Sequence, residues 1–437
     1  MQNPEALLSR IKRNLARLYP RKATLQHVCE IIDRNWQVND LEQKSRQATA
    51  FAQQIRQAEN KPLLFVAISH GKFPTIDFLT ESFRQSAQLQ SFAIYLKQAP
   101  ASCRQSACIE LDFDLLLFAM ILQLLPPGTP VYLQAHARSI FILPLIKAVN
   151  PQQLVIHEVY DWMECFIGEA EVFVAENIFS RREIDTMVQT EALTRNLSDL
   201  LLHKDDSPWT RQVLAQSSSP QLLYYPAPPR HWMKTPVTHD NSAPIRLVYT
   251  GQVMNPSVSS RVFGDLDLFP LIGSATTLDY RFTVFNSLLY QNTPAEMFSA
   301  YLDEAAANSC FDFHHGVDFP DILDHLHGHF DFGLIIFTPS DELVIGPNHL
   351  IGAMASKLFT YLAAGLPVLV SAQLEYMAQF VTRHGIGLVI QDFSDARELQ
   401  QKIAGIDWTQ LQQRIVQVQQ DYAIERLAQQ LLDFLDI

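Results

Sequence analysis

In the stretch MASKLFTYLAAGLPVLVS (354–371), Ser356, Lys357 and Thr360 stand at the start of a short helical pattern that Gly365 stops and Pro367 follows. The first turn of a helix holds backbone N–H groups without intrahelical partners, and the helix dipole is positive there. Two hydroxyls and an ammonium in that place favour an anion. Leu358, Tyr361 and Leu362 share the face that packs on a sheet, which leaves the polar three near the first turn, with Asn348 in the preceding loop. A diphosphate with an attached ribose suits this set. The same residues would also serve as ordinary solvated helix-start residues.

Further chemistry stands where apolar runs end. YLQAHARS (132–139) closes a run with His136 and Arg138, and HEVYDWMECF (157–166) closes another with Asp161 and Glu164. A histidine or carboxylate at such an end could take a proton from a hydroxyl, and could equally cap a loop. In SHGK (69–72), Gly71 permits close backbone approach and Lys72 could hold a phosphate or an acceptor. His325, His327 and His329 alternate in HLHGHF, but no cysteine or carboxylate set accompanies them, so a polar loop is expected there and no metal. No Gly-x-Gly-x-x-Gly and no P-loop lysine motif occurs, which disfavours dinucleotide oxidoreductases and P-loop ATPases.

The elements that must position these residues alternate between strand and helix. Continuous apolar runs at 62–68, 91–96, 130–135, 153–159, 199–203 and 221–225 predict strands buried on both faces of a parallel sheet. The segment 226–244 is rich in proline and reads as a stiff linker. Strands resume at 245–251, 280–285, 310–315, 332–337, 367–371 and 387–390. The fold class is therefore α/β, with two doubly wound Rossmann-like domains. Ligands of such sheets bind beyond the carboxyl ends of the strands, so a site in a cleft between the domains is expected. The expected organisation is a helical N-terminal extension (1–60), a first domain (61–235), a second domain (236–407) and a long C-terminal helix (408–437) that packs back on the first domain. Leu7, Ile11, Leu15 and Leu18 form one stripe of a basic amphipathic helix, which could lie on an anionic membrane through residues 7–22 or pack on the protein body.

The segment from Ser356 to Val368 resembles the nucleotide-binding helix of GT-B glycosyltransferases, especially glycosyltransferase family 4. LVYTG (247–251) and FHHGVDFPDILDHLHGHFDFGLIIF (313–337) are similar to that family's pieces in the same order. The resemblance covers roughly 245–390 closely and 61–225 mainly in topology. It implies a transferase that moves a sugar from a nucleotide-sugar donor to a saccharide, lipid-linked or protein acceptor, with no cofactor and no metal. It implies donor binding by Gly251, Arg261, His315, Gly316, Val317, Ser356, Lys357 and Thr360, with Lys357 and then Arg261 against the leaving diphosphate. It implies a catalytic role for His136, and Asp161, a carboxylate at the next strand end, is the second catalytic candidate. The sequence departs from the family where Thr360 and Gly352 stand in place of glutamates, and where the loop after LVYTG has Arg261 but none of the lysine that relatives carry there. A non-catalytic GT-B module or a sugar-nucleotide epimerase are the alternatives those departures suggest. DFD (112–114) and DLD (265–267) imitate the metal motif of the other glycosyltransferase fold without following a strand as it requires.

The bulk properties agree. A chain of 437 residues suits two domains, and 48% hydrophobic with 18% charged residues is globular composition. A net charge of −13 speaks against a nucleic-acid partner. The N-terminus has charges where a secretory signal needs an apolar core, and no apolar run is long enough to span a bilayer. The five cysteines fit no zinc or disulfide spacing, so a cytoplasmic location is expected.

Overall fold

The apolar runs of the sequence become the strands of two parallel sheets in a computed structural model, which describes all residues except 1–2, 70–73, 101–102, 238–243, 256–259, 279, 288–292, 338–343 and 392–395, together with the side chains of 260, 261, 265 and 396–398. The first sheet comprises β1 (Lys61–Ser69), β2 (Leu89–Gln98), β3 (Ala107–Glu110), β4 (Val131–Gln134), β5 (Val155–Glu158), β6 (Leu200–His203) and β7 (Gln221–Leu223). Its order is β3-β2-β1-β4-β5-β6-β7. The second comprises β8 (Arg246–Gly251), β9 (Arg281–Asn286), β10 (Phe311–His314), β11 (Phe332–Ile335), β12 (Val368–Ser371) and β13 (Gly387–Ile390), in the order β10-β9-β8-β11-β12-β13. Helices cover these sheets, which is why Leu63 to Ala67 in β1 are buried without alternation. The strand order reverses between β1 and β4 and again between β8 and β11, so each sheet has a crevice beyond its strand ends. The doubly wound fold expected from the alternation is thus the observed one.

The chain divides into two compact units. Unit 1 is Met1–Lys204, Trp209–Tyr224 and Asp436–Ile437; unit 2 is Asp205–Pro208 and Tyr225–Leu435. The described part of the proline-rich stretch is strapped to unit 2, with Lys234 N–H donating to Ala363 O at 2.7 Å.

The N-terminal residues form three helices, Pro4–Leu18, Lys22–Arg34 and Leu41–Arg56. Leu7, Ile11 and Leu15 are at most 1% exposed and belong to the core of unit 1 beside Leu64, Val66 and Phe92. Of the two readings of that stripe, packing on the body is the one observed, and the buried leucines offer no face to a lipid surface. A buried ion pair between Lys44 and Asp114 ties the third helix to the helix Leu115–Leu124, whose first turn Asp114 also caps by accepting from the N–H groups of Leu116 and Leu117.

The short edge strand β3 was not foreseen, since its residues are only partly buried or exposed and carry no periodic signal. Two sequence expectations need correction. The stretch from Trp408 forms two helices, Trp408–Tyr422 and Ile424–Phe434, because Ala423 between them is extended (φ −56°, ψ 150°). Cys103 and Cys108 are paired in a disulfide: the turn between them brings their Cα atoms within 6.1 Å, where a bridge can close. No helix among the described residues is long and apolar enough to cross a membrane.

Candidate functional site

The helix Ser356–Ala363 sits on unit 2 because Gly333 in β11 has no side chain: a Cβ there would fall inside the ring of Tyr361. That close approach lets the Tyr361 hydroxyl accept from the Thr250 N–H at 2.8 Å and donate to Leu334 O at 3.2 Å. The helix start is thereby fixed at the carboxyl end of β8. Among the described residues no side chain caps its first turn. Lys357 reaches across the end of that strand, its Nζ 3.9 Å from the centroid of the Tyr249 ring. A cation over a ring face is worth about 0.5–2 kcal/mol, which helps to hold the ammonium in place. Tyr249 is itself fixed, its hydroxyl donating to Gln252 O at 2.8 Å.

Gly251 completes the corner. Its φ of +144° is a conformation that side chains rarely adopt, and a Cβ there would lie 3.0 Å from Lys357 Nζ and 3.3 Å from the Tyr249 hydroxyl. Register pairs Gly251 with Asn286 at the end of β9, so both residues point to the same face of the sheet. Asn286 is 3% exposed; its Oδ1 accepts from the Ser287 N–H at 2.8 Å, and its buried Nδ2 has no hydrogen-bond partner among the described residues. An orphaned buried donor costs free energy unless a ligand satisfies it. The sequence reading passed over Asn286, although a polar residue ending an apolar strand is the pattern that singled out His136.

The remaining donor residues are placed as follows. Ser356 is half-buried at the helix start, while the Thr360 hydroxyl, 8% exposed, donates back to Ser356 O at 3.4 Å. His315, Gly316 and Val317 follow β10, and next to them Phe285 stacks on His314 with centroids 5.1 Å apart. Arg261 lies in a short helix, Ser260–Phe263, and its side chain is outside the described residues. At position 352 a side chain would be crowded: a Cβ would meet Ser207 Oγ at 3.0 Å and Asp205 Oδ1 at 3.2 Å. The place a family glutamate would fill is therefore bordered by a carboxylate from a distant part of the chain. Asp205 is 8% exposed and accepts from the Ser207 N–H at 3.1 Å.

Unit 1 has a cavity of about 670 Å³ beyond the ends of β1 and β4. His136, Ala137 and Arg138 line it, with Ser69, Lys97 and residues of the helices Lys22–Arg34 and Arg181–Leu197. His136 is held at the end of β4, its N–H donating to Ser139 Oγ at 3.1 Å and its carbonyl accepting from that hydroxyl at 2.7 Å. Arg138 is spent on structure: Nε donates to Glu183 at 2.7 Å, a terminal nitrogen donates to Ile178 O at 2.6 Å, and the guanidinium stacks on Phe179. Asp161 is not part of this lining; it pairs with Lys204 at 3.3 Å, and Lys204 in turn lies over the Tyr160 ring. Gly71 and Lys72 lie outside the described residues.

A buried carboxylate that the sequence reading missed braces this end of unit 1. Glu158, closing β5, accepts from Thr75 Oγ1 and from the hydroxyls of Tyr132 and Tyr224 and the amide of Gln134. Burial raises its pKa against the pull of these donors. His157 beside it is fully buried, which lowers its pKa to about 4, so it is neutral and its Nε2 bonds Ala135 O at 3.1 Å. Glu191 accepts from the Met163 N–H at 2.6 Å and holds the loop carrying Asp161; burial raises its pKa to about 7. Among the described residues no group of His, Cys, Asp or Glu could hold a metal. Of the alternate histidines, His327 bonds Ala364 O and His325 packs on Phe285.

Residues 272–432, a little over a third of the chain, match the family model described as the C-terminal domain of glucosyltransferase 3-like proteins. No curated protein sequence matches the chain. Solved structures match through both units. A sucrose-phosphate synthase from Thermosynechococcus elongatus is 14% identical with a TM-score of 0.54, over 86% of this chain and 99% of that one. An α,α-trehalose-phosphate synthase from Burkholderia xenovorans, solved with glucose 6-phosphate, is 9% identical with a TM-score of 0.55, over 86% and 100%. An Anabaena protein solved with UDP-glucose is 11% identical with a TM-score of 0.50, over 86% and 99%. At these identities the likeness establishes the fold, and that fold is the GT-B arrangement of two Rossmann-like domains.

Proposed function

We propose that this chain is a glycosyltransferase that moves a sugar from a nucleoside-diphosphate sugar, bound by unit 2 at the end of β8, to an acceptor bound by unit 1. The observation that carries the reading is the set of donors at the carboxyl ends of β8 and β9: the Lys357 ammonium from the first turn of its helix lies beside Gly251, and Asn286, with a buried unpartnered amide, is the register partner of Gly251. Such a corner offers positive charge and N–H groups, which suits a diphosphate. Lys357 then stabilises the charge that grows on the diphosphate as it departs. The acceptor oxygen forms its bond to the anomeric carbon as the bond from that carbon to the diphosphate breaks, and the diphosphate leaves with the electron pair. The acceptor's proton passes to a base, a role given to His136 on the unit 1 cavity; Asp161, paired with Lys204, orients its loop. Thr360 is the neutral stand-in for a ribose-binding acid, and His315 to Val317 meet the base through the backbone. No cofactor or metal is needed in this scheme, and a cytoplasmic setting is part of it.

The test is thermal unfolding against a panel of nucleoside diphosphates and sugar nucleotides, headed by UDP-glucose because the matched family model is that of glucosyltransferase-like domains. A ligand at a hundred times its Kd stabilises by about 2.7 kcal/mol, which a melting curve resolves. The expected result is a selective rise with one base, abolished by Lys357→Ala and by Asn286→Asp. No rise with any member would leave a GT-B module without a donor site.

A further inference from the structure

We infer that the cavity of unit 1 takes an acceptor with an apolar body and one anionic group, not a bare sugar or sugar phosphate; the inference rests on the reading of unit 1 as the acceptor side. The walls decide this. Ile31, Ile68, Phe113, Phe141, Phe179 and Met187 supply hydrocarbon and aromatic surface around a volume of about 670 Å³, a size that suits a small organic ligand. The polar groups between them are mostly consumed. His27 bonds Thr186 at 2.8 Å and burial lowers its pKa, so it is neutral. Arg138 and Glu183 pair with each other, the Ser139 hydroxyl donates to His136 O, and the Gln134 amide donates to Glu158. A sugar ring buried here would leave many of its hydroxyls without partners, at a cost for each. An acyl or aryl body incurs no such cost and gains from burial.

The rim adds the charge. Arg34 and Lys97 line the cavity, are exposed, and have no ion pair among the described residues. Among the described residues Glu183 is the only acidic side chain in the lining, and Arg138 already neutralises it. A chain of net charge −13 thus presents a cavity whose uncompensated charges, among the described residues, are two cations. Apolar walls below and unpaired cations above match one end each of an amphipathic anion. Arg34 comes from the N-terminal helices, so the segment that matches no recognised motif builds one wall of this pocket.

The experiment uses the whole protein and three probes: 3-hydroxydecanoate, its neutral methyl ester, and glucose 6-phosphate. Binding is read by calorimetry below micellar concentration. The hydroxy acid is expected to bind at least tenfold more tightly than the ester and than glucose 6-phosphate. The double substitution Arg34→Gln with Lys97→Gln should bring the acid to the level of the ester and leave the ester unchanged. Both residues are exposed, and an unaltered melting temperature checks that the variant is folded. Equal binding of ester and acid, tighter binding of glucose 6-phosphate, indifference to the double substitution, or no binding of any probe would each overturn the inference. Nucleoside diphosphate binding is measured on the same samples. If it persists while the hydroxy acid fails, only the cavity assignment falls; if it fails while the hydroxy acid binds, the donor reading falls instead.

Discussion

Replacing Lys357 by glutamine isolates the charge at the corner of β8. The side chain keeps most of its length and can still lie over Tyr249, so the fold should survive with a loss of about 0.5–2 kcal/mol, the worth of the cation–ring contact. The electrostatic loss depends on the ligand's charge. Two unit charges about 4 Å apart interact by about 4 kcal/mol at an effective dielectric near 20, as befits a half-buried ammonium. A sugar nucleotide gains roughly one negative charge on its diphosphate as the sugar leaves. The transition state therefore loses up to about 4 kcal/mol more than the bound donor does, which is roughly 10²- to 10³-fold in kcat, in the range for removing one such donor group. Donor KM should move much less. The free nucleoside diphosphate should likewise lose more affinity than the intact sugar nucleotide. Calorimetry with both ligands and single-turnover rates give the comparison. Equal losses of affinity for the two ligands with kcat unchanged would refute the argument, because Lys357 would then bind the donor uniformly and stabilise no departing charge.

Gly251→Ala forces a side chain into a backbone conformation of φ +144° and to 3.0 Å from Lys357 Nζ; about 1–3 kcal/mol of stability and at least tenfold in nucleoside diphosphate affinity should be lost, read by urea unfolding and calorimetry. Gly333→Ala should cost about 3 kcal/mol or more through overlap with Tyr361, and nucleotide binding should disappear with the seating of the Ser356–Ala363 helix. Glu191→Gln tests the buried carboxyl group. Its pKa rises from 4.5 to about 7 on folding, so the native state favours the protonated form, and the contribution present below pH 4.5 is lost as pH rises through 7. The amount is about 3 kcal/mol. Glutamine still accepts from the Met163 N–H but does not titrate, so urea midpoints of the variant relative to wild type should climb between pH 4.5 and 7 and be level outside that window. A constant difference across that range would show that Glu191 is not the titrating group.

How much was legible in the sequence follows from the range over which each signal acts. Strands such as Leu63–Ala67 declare themselves because burial on both faces demands an unbroken apolar run, and the helix start at Ser356 declares itself by its own residues. The stripe Leu7, Ile11, Leu15 was ambiguous for a physical reason: a helix facing lipid and a helix facing a protein core need the same spacing. What stayed hidden were pairings across the chain. Arg34 and Lys97 share a cavity, and Asn286 lies beside Gly251, only because of the strand order and register. The departure at position 352 is the sharpest case. In one dimension Gly352 reads as a lost acid and argues for a degenerate site. In three dimensions it is a residue whose missing side chain leaves room for Ser207 and the carboxylate of Asp205, so that any side chain restored there would crowd a carboxylate already present. The absence of an acid at a position is therefore weak evidence for the absence of an acid at a place, and the donor site is to be judged by the charges that surround it.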